Sequence, residues 1–291
     1  MRPFRFSGNC RLAARRFSPR AGIEFLLLAA FCLLPALLEA QQAKLVVTAF
    51  DQRTGEPVTD LQAANFNIQD DRTTLRINRA EYKEDLLDVM LLIDTSLVGE
   101  MVQPLGAGFI QSLGDKEQMA MVAYHSSADL VQDFTASKDL LLGALTRVRY
   151  GNNPRVLDAL YAAIDGGFQY ATGRRAIVLL SAGVEGNSRV SEGEVLQLAR
   201  QRNVAIYPVY VIGAERGMFR RLAQFSGGAY FDARRLELKP SDLADLAYSV
   251  VRGYYEIEVS GVFTLGHRIE VKIEGLPRSR RNVWASARPL D

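Results

Sequence analysis

The stretch Asp88-Val89-Met90-Leu91-Leu92-Ile93-Asp94-Thr95-Ser96-Leu97-Val98 determines the fold of this 291-residue chain. Its apolar run, Val89 to Ile93, is too short for a buried helix and is bounded by polar residues. Such a run predicts a strand buried on both faces, as in the centre of a parallel sheet. Asp94 and Ser96 follow at the carboxyl end of this strand, where open α/β sheets place their binding crevice.

Strand patterns alternate with amphipathic helix patterns from this stretch to about residue 252. The alternation predicts βαβ units around a mostly parallel sheet. The strand pattern at 130–134 follows the one at 119–124 too closely for a crossover, so these two strands are expected to be antiparallel. The first helix is expected to bury four apolar residues spaced by four: Met101, Leu105, Phe109 and Leu113. Three later helices are expected to begin at N-cap serines: Ser137, Ser191 and Ser241.

Two β-rich segments flank this region and alternate apolar with polar side chains, as half-buried strands do. Neither segment has strands enough to cover its own apolar face. We therefore expect residues 41–85 and 253–291 to pack on each other as a small β-sandwich beside an α/β domain at 86–252. The predicted fold class is α/β, with a Rossmann-like, mostly parallel sheet, helices on both faces and this added sandwich.

Residues 1–40 have the composition of a secretory signal peptide. A basic region from Arg2 to Arg20 precedes an apolar core from Phe25 to Leu38, and Leu38-Glu39-Ala40 is an acceptable cleavage site. We expect the mature protein to be periplasmic or extracellular and to have no transmembrane segment. Both cysteines fall in the leader, so the mature chain would have no disulfide and no thiolate metal site.

Composition and motifs exclude several functional classes. Charged residues make up 23% of the chain, and no basic stripe with interleaved aromatics indicates a nucleic-acid partner. Gly106-Ala107-Gly108 lacks the third glycine of a phosphate loop and is expected to serve helix packing. Ser181 follows a strand but lacks the glycine that precedes a nucleophile elbow. His125 and His267 are too few and too far apart for a metal cluster. Because none of these groups assembles into a catalytic set, no enzymatic activity is expected.

The succession of motifs resembles the von Willebrand factor type A domains of exported bacterial proteins. Asp94-Thr95-Ser96 resembles the family's first motif, Asp-x-Ser-x-Ser. Residues 204–209 and 219–228 resemble the last third of the domain, and 51–70 resembles the opening of these exported proteins. The resemblance covers nearly the whole mature chain. It implies a Rossmann-like fold and a role in adhesion or assembly.

In this family five side chains hold a divalent cation, and the resemblance places the first two at Asp94 and Ser96. The other three positions are occupied by side chains that cannot coordinate: Val98, Pro154 and Ala182. One carboxylate and one hydroxyl would leave water to complete the shell, so Mg²⁺ is possible but disfavoured and no metal is expected. Asp94 and Ser96 are expected to cap the following helix and hold its loop, with Arg155 near enough to pair with Asp94.

The function that the resemblance implies is a non-enzymatic module that binds or assembles with an unidentified protein partner. A structural envelope component without a ligand site is the alternative, and the lost metal ligands favour it. A metal-dependent adhesion protein is less favoured, because it would need the full ligand set.

Overall fold

The computed structural model describes residues 42–71, 73–261 and 269–290. The predicted signal peptide and His267 lie outside the described residues. The strands are β1 (Gln42–Asp51), β2 (Phe66–Asp70), β3 (Thr73–Thr74), β4 (Arg76–Glu84), β5 (Leu87–Asp94), β6 (Gln118–Tyr124), β7 (Ala128–Thr135), β8 (Arg174–Ser181), β9 (Val204–Tyr210), β10 (Phe231–Asp232), β11 (Gly253–Ser260), β12 (Ile269–Ile273) and β13 (Val283–Pro289). The helices are α1 (Gln103–Gln111), α2 (Lys138–Leu145), α3 (Val156–Gly166), α4 (Glu192–Gln201), α5 (Arg216–Ser226), α6 (Ala233–Leu236) and α7 (Pro240–Arg252).

A six-stranded sheet in the order β10-β9-β8-β5-β6-β7 forms the centre of the fold. All its pairs are parallel except β6–β7, which is antiparallel as the short connection predicted. Every residue of β5 is buried, so both faces of the sheet are covered at its centre. This confirms that the apolar run after Asp88 is a central strand.

Two groups of helices cover this sheet: α1 packs with α2 and α7, while α3, α4 and α5 pack in succession. The close approach of α1 to α7 depends on Gly108, because a Cβ there would lie 2.7 Å from the Cβ of Ala244. The predicted packing role of this glycine is confirmed. Among the described residues, no helix combines the length and the apolarity needed to cross a bilayer.

The flanking segments interleave in a four-stranded sheet, β13-β1-β11-β4, and a three-stranded sheet, β12-β2-β3. Strand β1 lies between β11 and β13 and is antiparallel to both. Strand β12 pairs with β2, so each sheet combines strands from both ends of the chain. Their apolar side chains form a second core that includes Leu45, Ile68, Tyr255 and Ile257. The predicted fold class, an α/β domain with a sandwich from its flanks, is therefore confirmed.

Two predictions about helices, the burial of Met101 and the N-cap at Ser241, are wrong, and proline explains both. Pro104 lies in the first turn of α1, and the preceding Gly99–Val102 forms a 3-10 turn. Met101 is consequently 56% exposed instead of buried. Helix α7 begins at Pro240 with Lys239 in the N-cap position, so Ser241 is not its cap.

The other two predicted caps are confirmed. The hydroxyl of Ser137 accepts a hydrogen bond from the amide of Leu140 at the start of α2. Ser191 accepts one from the amide of Glu194, whose carboxylate bonds back to the amide of Ser191 in a capping box. These local pairings explain why the starts of α2 and α4 could be identified from sequence.

The Tyr255 hydroxyl holds the sandwich core together, because it donates to the Val58 carbonyl at 2.8 Å and accepts from the Leu61 amide at 2.9 Å. We predict that Tyr255→Phe lowers the free energy of unfolding by about 1–3 kcal/mol, since both backbone groups lose a buried partner. Tyr170→Phe removes the same atom from a side chain that is 88% exposed and should change nothing. Urea unfolding measures the loss, and equal stability of the two variants would contradict it.

A buried ion pair joins the turn before β6 to α7. The Glu117 carboxylate accepts from Arg252 Nε at 2.7 Å, from the Gly114 amide at 2.7 Å and from the Tyr248 hydroxyl at 3.0 Å. Burial on its own raises the pKa of Glu117, but the bonds from Arg252 and Gly114 outweigh it and leave the pKa below its ordinary value. Glu117 therefore adds stability above the pKa it has in the unfolded chain, and that stability is lost as pH falls through its folded pKa.

We predict that Glu117→Gln destabilises the protein by about 1–3 kcal/mol near pH 7, because the charge-assisted bonds are lost. The difference from the unsubstituted protein should shrink as the pH is lowered below about 4, because the unfolded carboxylate protonates first and the folded one follows at its lower pKa. Urea midpoints at pH 7 and pH 3 test this, with exposed Glu56→Gln as the control. A destabilisation that stays constant across that range would be inconsistent with the proposed linkage.

Candidate functional site

The candidate site lies at the carboxyl ends of β5 and β8, where the buried Asp94 carboxylate connects the two strands. Its Oδ1 accepts a hydrogen bond from the Ser96 amide at 2.9 Å, and its Oδ2 accepts one from the Ala182 amide at 3.0 Å. The loop after β5 is also bound to its neighbours, because Thr95 donates its amide to the Tyr124 carbonyl at 2.8 Å. Asp94 thus fixes the loop through backbone donors.

Tyr124 lies next to the Asp94 carboxylate and contributes no charge to the site. It is fully buried, and its hydroxyl donates to the Leu180 carbonyl at 3.3 Å. Burial, and then the negative charge of Asp94, raise the pKa of Tyr124 well above its ordinary value. The phenol stays protonated and cannot serve as a base at neutral pH.

Ser96 lies beside Asp94 but does not cap a helix. Its side chain is buried, and its Oγ has no hydrogen-bond partner among the described residues. The next element is the 3-10 turn at Gly99–Val102, whose N-cap position is Val98 and receives no side-chain bond. The predicted capping role of Asp94 and Ser96 is therefore wrong, because the chain turns before any helix begins.

The expected pairing of Arg155 with Asp94 is also wrong in the described part of the chain. Arg155 Nη1 lies 3.9 Å from Asp158 Oδ2, an i,i+3 pair at the start of α3. Both oxygens of Asp94 are already engaged by backbone amides. Local geometry on α3 thus directs the Arg155 side chain toward its own helix.

The residues of this site do not match the oxygen ligands that a divalent cation requires. At the five ligand positions that the resemblance implies, Asp94 would supply the one carboxylate and Ser96 the one hydroxyl. Within the described residues, no group of three or more His, Cys, Asp or Glu side chains could hold a metal ion. Magnesium prefers near-octahedral oxygen coordination, so these two side chains fit it poorly and weak affinity stays the expectation.

Two residues that the sequence did not indicate, Glu185 and Ser188, hold the start of α3. Glu185 Oε2 accepts from the amide of Val156 at 3.0 Å, and Ser188 Oγ accepts from that of Leu157 at 3.1 Å. Helix α3 needs these partners because its N-cap residue, Arg155, makes no side-chain capping bond. A helix start without a local Ser, Thr, Asp or Asn was the available signal.

Four exposed apolar side chains on the segments next to the site form what we call the apolar rim: Leu97, Val98, Met101 and Tyr150. Leu97 is 70% exposed and Met101 is 56% exposed. Tyr150 is brought alongside because the next residue, Gly151, forms a parallel bridge with Ser96. Exposed apolar clusters of this kind often mark interaction surfaces on soluble domains.

A six-stranded, mostly parallel sheet covered by helices defines a Rossmann-like α/β domain, and the candidate site lies at the carboxyl edge of the sheet. Its fold is that of a von Willebrand factor type A domain. Proximal thread matrix protein 1 from the mussel byssus, solved with a zinc-occupied MIDAS motif, has a TM-score of 0.51 and 16% identity over 60% of this chain and 49% of that chain. A further structure of the same protein has a TM-score of 0.50 and 16% identity over 67% of this chain and 51% of that one.

The chain thus spans about half the length of the mussel protein that it resembles. The VWA domain of SpRpn10 also matches, with a TM-score of 0.44 and 16% identity over 54% of this chain and 93% of that chain. No protein-family model and no curated protein matches the sequence. At these identities the similarity establishes the fold, and the expected fold is confirmed.

We predict that two neighbouring substitutions at the site differ strongly in their effect on the free energy of unfolding. Asp94→Ala should cost about 2–5 kcal/mol, because it leaves two buried amides without acceptors. Ser96→Ala should change stability by less than about 0.5 kcal/mol, because the hydroxyl that it removes has no partner to lose. Thermal unfolding measures both effects, and millimolar Mg²⁺, Mn²⁺ or Ca²⁺ should shift neither the variants nor the unsubstituted protein.

A bound cation would give a different pattern. A ligand at a hundred times its dissociation constant stabilises a protein by about 2.7 kcal/mol. A saturable, metal-dependent rise in the unfolding midpoint, lost in both Asp94→Ala and Ser96→Ala, would contradict our expectation.

Proposed function

We propose that this protein is an exported, non-enzymatic protein-binding or assembly module that uses a von Willebrand A-type domain whose cation site is largely lost. The observation that carries the proposal is the apolar rim at the carboxyl edge of the sheet. This edge is where open α/β sheets bind their ligands. The rim offers a partner apolar area instead of an open metal coordination site.

The replacement of the third ligand links the two features. Val98 stands where the family has a hydroxyl, and its side chain is exposed beside Leu97. The same change therefore removes a cation ligand and adds apolar surface to the rim. Burial of apolar surface contributes about 25 cal/mol per Å², so a partner can gain affinity from this rim without a metal.

The groups that sequence analysis considered for catalysis support a non-enzymatic role. Ser181 is fully buried, and its hydroxyl accepts a hydrogen bond from the Gly183 amide at 2.9 Å. Gly106 and Gly108 lie inside α1, where they pack against neighbouring side chains. Neither set presents a nucleophile or a phosphate cradle to solvent.

Export is supported by the composition of residues 1–40 alone, which match a signal peptide. An assembly role is supported by the likeness of the fold to proximal thread matrix protein 1, which matches at a TM-score of 0.51. We infer an unidentified protein partner from the rim.

Metal-dependent adhesion is a second candidate because Ser96 Oγ is buried beside Asp94 without a partner. A cation would give that oxygen a partner. A requirement for added metal in partner binding would distinguish this candidate from the first.

We predict that the double variant Leu97→Ser, Met101→Ser loses a protein captured from an envelope extract, because its rim no longer buries apolar area. Leu140→Ser is the matched control, since Leu140 is 54% exposed but lies on α2, away from the rim. The captured protein is then purified and titrated against each variant by calorimetry. The rim variant should bind at least about tenfold more weakly, a change of about 1.4 kcal/mol.

Chelation should leave this affinity unchanged. Retention of full affinity by the rim variant would remove the support for this surface. Loss of binding in EDTA, restored by Mg²⁺, would instead favour metal-dependent adhesion.

A further inference from the structure

A pocket of about 550 Å³ lies at the opposite, amino edge of the central sheet. It is bounded by the residues that precede β5 and β8 and by the end of β13. Its volume falls in the range of small-molecule sites, about 300–1,000 Å³. Its principal lining residues are Asp85, Leu86, Arg174, Arg175, Tyr254 and Arg288.

The pocket walls carry an excess of positive charge. Three guanidinium groups line it, while Asp85 is the one carboxylate among the described lining residues. Asp85 accepts a hydrogen bond from the Tyr254 hydroxyl and forms no ion pair within the described part of the chain. Arginine presents several N–H donors in a planar fork that suits carboxylate and phosphate oxygens.

Arg174 is a cation without a carboxylate partner among the described residues. Its Nη2 donates to the carbonyl oxygens of Val251 at 2.5 Å and Arg252 at 2.7 Å, at the end of α7. Its guanidinium lies 4.8 Å from the centre of the Tyr254 ring. Its Nε and Nη1 are buried and have no hydrogen-bond partner in the described chain. An anion in the adjoining pocket would compensate this charge through a low-dielectric region.

Arg175 is the more accessible of the two. Its Nη1 donates to the Arg202 carbonyl at 3.0 Å, which is the one hydrogen bond of the guanidinium among the described residues. The side chain is half-buried at the pocket wall, so the other donors of its fork can reach a ligand. Arg288, by contrast, is buried and donates to the Asn203 carbonyl at 3.1 Å.

We infer that this pocket binds a small organic oxyanion, with its carboxylate or phosphate group on Arg175 and within the field of Arg174. Leu86, which is 54% exposed, offers apolar surface for the rest of the molecule. The pocket and the apolar rim lie at opposite edges of the sheet. The ligand site therefore does not depend on the proposed protein-binding function.

The test is calorimetric titration of the full chain at low ionic strength with two probes, inorganic phosphate and citrate, and with chloride as the reference anion. We expect one saturable site for at least one probe, weakened by 0.5 M NaCl because salt screens the guanidinium charges. Citrate in preference to phosphate would identify a carboxylate ligand, and the reverse order would identify a phosphate.

Three variants locate the site. Arg175→Gln should weaken binding by about tenfold or more, because it removes both charge and fork. Arg175→Lys keeps the charge and should lose less, which also serves as the folded reference if the glutamine variant is unstable. Arg147→Gln removes an exposed arginine outside the lining and should leave the affinity unchanged. Absence of saturable binding for both probes at about 10 mM, or equal losses in Arg175→Gln and Arg147→Gln, would overturn the assignment.

Discussion

The insertion of β1 between β11 and β13 is the constraint on which the rest of this structure depends. A strand from the start of the chain can complete that sheet only after the entire α/β domain has been made and its end has returned. The Thr48 hydroxyl then donates to the Gly227 carbonyl at 2.8 Å, and the Ser286 hydroxyl donates to that of Gly228 at 2.5 Å. Phe50 and Trp284 pack with Tyr230 at the same place, which joins the sandwich to the central sheet.

The central sheet could be predicted because its information is local. The apolar run at 89–93 is long enough to identify a buried strand, and the short connection before β7 allows only an antiparallel return. The starts of α1 and α7 could not be predicted equally well, because prolines at 104 and 240 moved them. The N-terminus of α3 depends on Glu185, a tertiary partner that no neighbouring residue indicates.

At the candidate site, the resemblance implied which ligand side chains would be missing, but the sequence did not indicate which groups bond Asp94 instead. Ala182 lies where the resemblance implies a second aspartate, so no charge at that position would repel Asp94. In the folded chain, the backbone amide of Ala182 approaches Asp94 and bonds its carboxylate. A backbone donor is present whatever the side chain, so this exchange is invisible in a motif. It becomes apparent only when the two strand ends are brought together.

Because β1 and β13 are neighbours, the two ends of the described fold lie close together. The Leu290 amide donates to the Lys44 carbonyl at 2.9 Å, so the two ends of the described fold emerge side by side. Leu290 also lines the pocket at the amino edge of the central sheet. A tether, a surface or a second module joined at either end would therefore attach at this pole. The apolar rim, at the carboxyl edge of the sheet, would then face away from the attachment and stay accessible to a partner.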